Sequence, residues 1–316
     1  MIQLKISGRA GNQFFQYAMV KSYMDENNIE DELQISFEHL EKHKTDDKSF
    51  VNVLKDFKVD DFEVINKINM TLKQKILDII YKIFCKIIIF NAKIQKRSLT
   101  QKDYAFVKKF LQKTLNKNGL YYYIPGMKEF YKSNNPNIIF YGSFEDNSFY
   151  IKNREKILQM YIPKSDILDK NKELYENIEK SESVCVTIRR GDFLNSEFKK
   201  NFYICTPQYF EEAIQEMNKI VKSPQYIVFS DDVEWCKNNM KFPEGTLFET
   251  ENNPIWEKIR LMYSCKHFII SNSTFSWWAQ YLSRNPNKKV IAPKKWNNFE
   301  YMDLIYHKSW ILLVEK

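Results

Sequence analysis

Four short apolar runs recur through the second half of the chain: VCVTI from residue 184, YIVFS from 226, KHFIIS from 266 and KKVIAP from 288. Stretches of helical spacing separate them, around VEWCKNN, WEKIRLMY and TFSWWAQYLS, with Phe210, Ala213, Ile214, Met217 and Val221 following Thr206 and Pro207 as N-cap and first helical residue. Strands alternating with helices in this way pair in parallel, with helices covering both faces of the sheet. The N-terminus repeats the grammar. Ile2, Leu4 and Ile6 alternate with polar residues, GRAGNQ breaks the pattern, and FFQYAMVKSYM resumes as a helix. The fold class is therefore α/β. At 316 residues the chain is large enough for two domains. A linker near IPKSD divides it into residues 1–160 and 161–316.

In an open parallel sheet, the loops after the strands' carboxyl ends line the ligand crevice. IRRGDF, FSDD and ISNSTFSWW should thus open onto one surface. Arginine forks match phosphate oxygens in a bidentate way, so Arg189 and Arg190 at a strand end suit a diphosphate; the alternative is ion pairing with Asp192 or another neighbour. Asn272, Ser273 and Thr274 stand in a hydroxyl-rich turn before a helix, where free N–H groups favour a phosphate, or where Ser or Thr simply caps the helix. Trp277 and Trp278 read as packing residues, one of them facing the sheet. Asp231 and Asp232 either accept hydrogen bonds from a base edge or cap the following helix. In GRAGNQ, Gly8 and Gly11 permit close backbone approach, while Arg9, Asn12 and Gln13 present polar heads.

Several classes are disfavoured. The five cysteines are scattered and form no C-x-x-C pair, which reads as reduced thiols in a cytosolic protein and not as a disulfide frame or zinc site. The four histidines fall in no ligand spacing, and no D-x-D tripeptide, Walker lysine or nucleophile elbow is present. No metal or other cofactor is expected. A formal charge of +8 favours anionic partners, but dispersed basic residues argue against nucleic acid. The strand-like start MIQLKIS leaves no room for a signal peptide, so a cytoplasmic location is expected. Residues 72–97 are apolar at most positions, with Lys75, Lys82, Lys86 and Lys93 on one helical stripe. They read either as a core helix with a solvated basic edge or as a helix lying on an anionic membrane.

Taken in order, GRAGNQFFQYA, IRRGDF, FSDDVEWC and SNSTFSWWAQYL with APKKW behind it resemble the family 11 glycosyltransferases, inverting α-1,2-fucosyltransferases that use GDP-fucose. The resemblance implies a GT-B-like pair of Rossmann-like halves facing a cleft. The C-terminal half, with its parallel sheet, would hold the donor and the N-terminal half the acceptor, an oligosaccharide or lipid-linked glycan. By position, Arg189 would take the diphosphate, Asp231 or Asp232 would approach guanine, Ser273 and Thr274 would contact phosphate, and Arg9 and Asn12 would reach the donor. Two departures stand out: in the arginine motif Thr187 replaces the family's histidine and Phe193 its tyrosine, where a threonine hydroxyl could supply one donor hydrogen bond in the histidine's place, and GRAGNQ stands where the family usually reads G-G-L-G-N-Q. Glu145 stands where the family usually carries glutamine. A carboxylate, Asp192 or Glu197, would deprotonate the acceptor hydroxyl, with departing GDP stabilised by arginine and helix N-termini without metal. The same motifs would also serve another GDP-linked sugar, or a catalytically silent nucleotide-sugar or glycan-binding protein. Surface-glycan synthesis, O-antigen or capsule, with possible peripheral contact at a bacterial inner membrane, follows by analogy.

Overall fold

The computed structural model describes residues 1–45, 47–194, 196–249, 252–298 and 303–314. The chain forms two compact units, one of Met1–Lys55, Val59–Ile157 and Phe299–Ile305, the other of Asp56–Lys58, Leu158–Asn298 and Tyr306–Lys316. The three-residue segment near 57 joins the second unit because Phe57 bridges to Pro163 and packs edge-on against Tyr161.

The first unit is built on five strands, β1 (Ile2–Lys5), β2 (Leu33–Ser36), β3 (Glu63–Ile65), β4 (Leu120–Tyr122) and β5 (Ile138–Tyr141). All pair in parallel in the order β3-β2-β1-β5-β4. The Ala10–Glu26 helix begins inside the GRAGNQ motif, so Gly11, Asn12 and Gln13 lie in its first turn and not in a loop. Gly8 alone takes the left-handed backbone, at φ +75°, where a side chain would be strained. Gln13 then fixes the turn: its amide donates to the carbonyls of Gly8 and Val51, and its oxygen accepts from Val53 N–H.

The expected helix near residue 72 spans Leu72–Ile94, opened by a capping box in which Thr71 accepts from Gln74 N–H and Gln74 reaches back to Thr71 N–H. Leu77, Tyr81, Phe84 and Ile88 on its inner face pack against a core of Tyr104, Val107, Leu115, Leu120, Tyr122 and Ile139. Asp78 is buried on the same face, accepting from Tyr122 Oη at 2.5 Å and pairing with Lys82 at 2.6 Å. No helix among the described residues is long and apolar enough to cross a membrane.

The second unit holds β6 (Glu182–Ile188), β7 (Pro224–Ser230), β8 (Leu247–Phe248), β9 (His267–Ile269), β10 (Val290–Pro293) and β11 (Ile311–Leu313). They are again all parallel, in the order β11-β10-β9-β6-β7-β8. Residues 184–188 of β6 are buried without polar alternation, as a strand covered on both faces requires. Its core combines Val184, Val186 and Ile188 with Phe210, Ala213, Ile214 and Met217 from the Pro207–Ile220 helix. That helix starts where the sequence indicates, with Thr206 Oγ1 accepting from Tyr209 N–H and Pro207 in its first turn. Trp277 and Trp278 are both fully buried. Sheet packing alone would bury one; Trp278 also meets Tyr161 edge-on, with ring centroids 5.2 Å apart. The five cysteines are all unpaired thiols.

Candidate active site

From β6 the second sheet is extended by β7 and β8 on one side and by β9, β10 and β11 on the other, so the order of strands switches sides between β6 and β9. In doubly wound sheets a ligand crevice forms outside the carboxyl ends at such a switch point. The strand ends found there are Ile188 and Ile269, with β7 on the far side of β6. The three loops singled out in the sequence therefore leave adjacent strands at one edge of one sheet.

Asp231, just past β7, organises the arginine corner. Its Oδ2 pairs with Arg189 Nη1 at 3.0 Å, and its Oδ1 accepts from the Arg190 backbone N–H at 2.8 Å. Asp232 caps the Val233–Asn239 helix by accepting from Trp235 N–H, and pairs with Arg190 Nε at 3.2 Å. Both aspartates thus have partners within the loop cluster, and the capping alternative holds for Asp232. The two arginines are not equivalent. Arg190 is buried, its guanidinium carbon 3.1 Å from the centre of the Trp235 ring, a cation–π contact that fixes it as a buttress. Arg189 keeps 30% of its side chain exposed. Of the two arginines, Arg189 is thus the more exposed and Arg190 the packed one.

Across the switch point, Thr187 Oγ1 accepts from Ser271 N–H at 3.1 Å. This bond ties the end of β6 to the loop after β9. Asn272 is committed to the loop's shape: its amide donates to the carbonyls of Phe202 at 2.9 Å and Trp296 at 2.8 Å. Ser273 is the N-cap residue of the Thr274–Leu282 helix but makes no capping bond with its side chain. Ser271 Oγ lies 3.2 Å from Ser276 Oγ, and the start of the helix carries the partial positive charge that favours an anion. Asp192 opens a 3-10 turn, Asp192–Leu194, and Glu197 falls on a short Ser196–Phe202 helix that the sequence did not signal. Their side chains lie outside the described part of the structure.

In the N-terminal unit, Arg9 precedes the Ala10–Glu26 helix and is held by a different loop. Its Nε donates to Ser49 Oγ at 2.6 Å and Asp47 Oδ2 at 3.2 Å. Burial works against charge on Asp47, but hydrogen bonds from Ser49 and Arg9 outweigh it and hold the carboxyl at about 2. Asn12 stands in the helix's first turn beneath Gly8, its side chain 3.0 Å from where a β-carbon on Gly8 would lie.

The same unit contains a cavity of about 200 Å³ that no motif announced. It lies past the ends of β4 and β5, lined by Tyr81, Tyr104, Tyr123, Gln101, Ser143 and Glu145 among others. Burial pushes the Tyr81 hydroxyl and the neighbouring Cys85 thiol up, so both are neutral near pH 7. Aromatic faces beside a carboxylate, an amide and hydroxyls can stack on and hydrogen-bond to a polyhydroxylated ring. Ser143 and Glu145 of this lining belong to the YGSFED stretch that runs on from the end of β5.

The second sheet has the strand order of a doubly wound α/β fold, and the first departs from it by placing β5 between β1 and β4. The match to Glycosyl transferase family 11 extends over residues 1–314, and the chain belongs to that family. It is 34% identical over 168 residues to an α-1,2-colitosyltransferase of Escherichia coli, covering 50% of this chain and 55% of that protein. It is 31% identical over 179 residues to the O-antigen biosynthesis glycosyltransferase WbnK of the same organism, covering 54% and 59%. The aligned part thus spans a little over half the length of these relatives. Fucosyltransferase NodZ from Bradyrhizobium superposes with a TM-score of 0.48 at 11% identity, over 88% of this chain and 91% of that one.

Proposed function

We propose that the chain is a glycosyltransferase that moves fucose from GDP-fucose to a hydroxyl of a galactoside acceptor, forming an α-1,2 linkage with inversion. The observation that carries this reading is the placement of Arg189, oriented by Asp231 at the end of β6, beside the N-terminus of the Thr274–Leu282 helix across the switch point. In this reading the fork of Arg189 and the N–H groups at Ser273 and Thr274 bind the diphosphate and gain strength as negative charge develops on the leaving GDP. Thr187 sets the phosphate loop through Ser271. Asp231 and Asp232 hold the arginines, and guanine lies near their loop. Arg9 and Asn12 serve the donor from the start of their helix. Asp192 or Glu197 accepts the proton of the attacking hydroxyl, so the C–O bond to the acceptor forms as the bond to GDP breaks on the opposite face. The aromatic cavity of the N-terminal unit takes the acceptor sugar.

The reaction needs no metal ion in this account, because arginine and backbone dipoles neutralise the diphosphate. The test is to incubate purified protein with GDP-fucose, a panel of galactosides and EDTA, follow GDP release, and assign the product linkage by NMR. Loss of turnover in EDTA, restored by manganese or magnesium, would refute metal independence; GDP-fucose binding with neither transfer nor hydrolysis would make the protein a binding module. The similarity to a colitosyltransferase supports a second reading, transfer of the 3-deoxy analogue of fucose. Competition between the two GDP-sugars separates them, since a site built to hydrogen-bond the 3-hydroxyl rejects a donor lacking it.

A further inference from the structure

The Leu72–Ile94 helix is apolar on two opposite faces, and only one is covered. Ile76, Ile79, Ile83, Ile87, Phe90 and Ile94 recur at intervals of three and four, which places them within roughly an 80° arc on the side away from the core. Each is between 49% and 63% exposed. Phe106 and Phe110 on the neighbouring turn are 52% and 54% exposed, and Phe106 stacks on Phe84 at 5.4 Å.

Basic residues are spread along the whole chain, but around this row few acidic residues offset them. Lys75, Lys82, Lys86 and Lys93 form a stripe about a quarter turn round the helix from it. Residues 72–117 contain twelve Lys and Arg against two Asp, so this segment's net charge of +10 exceeds the +8 of the whole chain and leaves the remainder at −2. Both aspartates are paired, Asp78 with Lys82 and Asp103 with Arg97.

We propose that this face lies on an anionic lipid bilayer, with the isoleucine row at the acyl boundary and the lysines reaching to the headgroups. The helix is about 34 Å long and too charged to span, so it rests in the interfacial plane. Lysine stems bury along apolar surface while their ammonium groups meet lipid phosphates. A second copy is the poorer occupant, because it would bring two strongly positive segments together within a screening length. The inference is independent of the proposed reaction, since it uses none of the residues assigned to it.

The experiment is co-sedimentation of the full chain with vesicles of phosphatidylcholine alone and of phosphatidylcholine mixed with phosphatidylglycerol, at low and raised salt. Binding is expected on the mixed vesicles and should weaken with salt. The Ile83→Ser/Phe90→Ser variant should lose roughly tenfold or more in affinity. Lys75→Gln/Lys86→Gln/Lys93→Gln should lose about fivefold per lysine, on the order of a hundredfold in all. Both variants alter exposed positions, so their melting temperatures and soluble-donor turnover should stay at wild-type values. Failure to bind mixed vesicles, or binding unchanged in both variants, overturns the proposal. So does a dimer in sedimentation equilibrium that the same substitutions abolish, which would assign the face to a second copy.

Discussion

Gly191 follows the two arginines, and a β-carbon there would sit 2.8 Å from Asp231 Oδ2, about 0.6 Å short of the 3.4 Å at which ordinary contact begins. That oxygen holds Arg189, while the carboxylate's other oxygen is pinned by Arg190 N–H. In Gly191→Ala the carboxylate must therefore swing away, and the Arg189 pair is the contact it surrenders. The pair is partly exposed, so its loss and the local crowding should cost stability only about 1 kcal/mol, a few degrees in Tm. Misplacing the fork proposed to bind the diphosphate should be costlier: a shift near 1 Å lowers kcat/KM by about a hundredfold. The assay is steady-state GDP release with an acceptor alongside thermal unfolding, comparing Gly191→Ala, Asp231→Ala and the double variant. The double variant should be no slower than Asp231→Ala alone, because the clash has been removed with the carboxylate. A single variant with kcat/KM within about twofold of wild type would refute the claim that Asp231 positions Arg189 for chemistry.

Arg189→Lys should lower kcat by about a hundredfold, since one ammonium cannot reproduce a bidentate fork; near-normal turnover would remove the fork from the mechanism. Thr187→Val strands the buried Ser271 N–H and should cost about 1–3 kcal/mol in urea unfolding, whereas Thr187→Ser should retain most of the stability. The Asp47 carboxyl sits at about 2 against an ordinary 3.8. Its contribution is therefore complete above about pH 4 and lost as pH falls toward about 2, and Asp47→Asn should flatten acid unfolding within that window.

Much of the site was legible because strand-end loops announce themselves locally. RRGD, SDD and SNST each follow an apolar run, and the parallel order then makes them neighbours. What stayed hidden depends on partners distant in sequence. Nothing near Arg190 signals that Trp235 will cover it, and without that contact the two arginines look alike. The start of the first helix was misplaced because Gly11 reads as a loop residue, while tertiary packing outweighs its weak helix propensity. The helix after residue 72 shows the limit of periodicity. Two apolar rows on opposite faces have the same spacing, and only the packed structure shows which one the core takes. The cavity lined by Tyr81 and Tyr123 had no local signal, because its wall is assembled from five separate segments.

The bond from Ser271 N–H to Thr187, with the two amide bonds of Asn272, has a thermodynamic consequence. The loop after β9 is held in shape by its bonds to Thr187, Phe202 and Trp296. In the proposed site a diphosphate would meet a rigid template, so its association should carry little penalty for loop ordering and show only a small unfavourable conformational entropy.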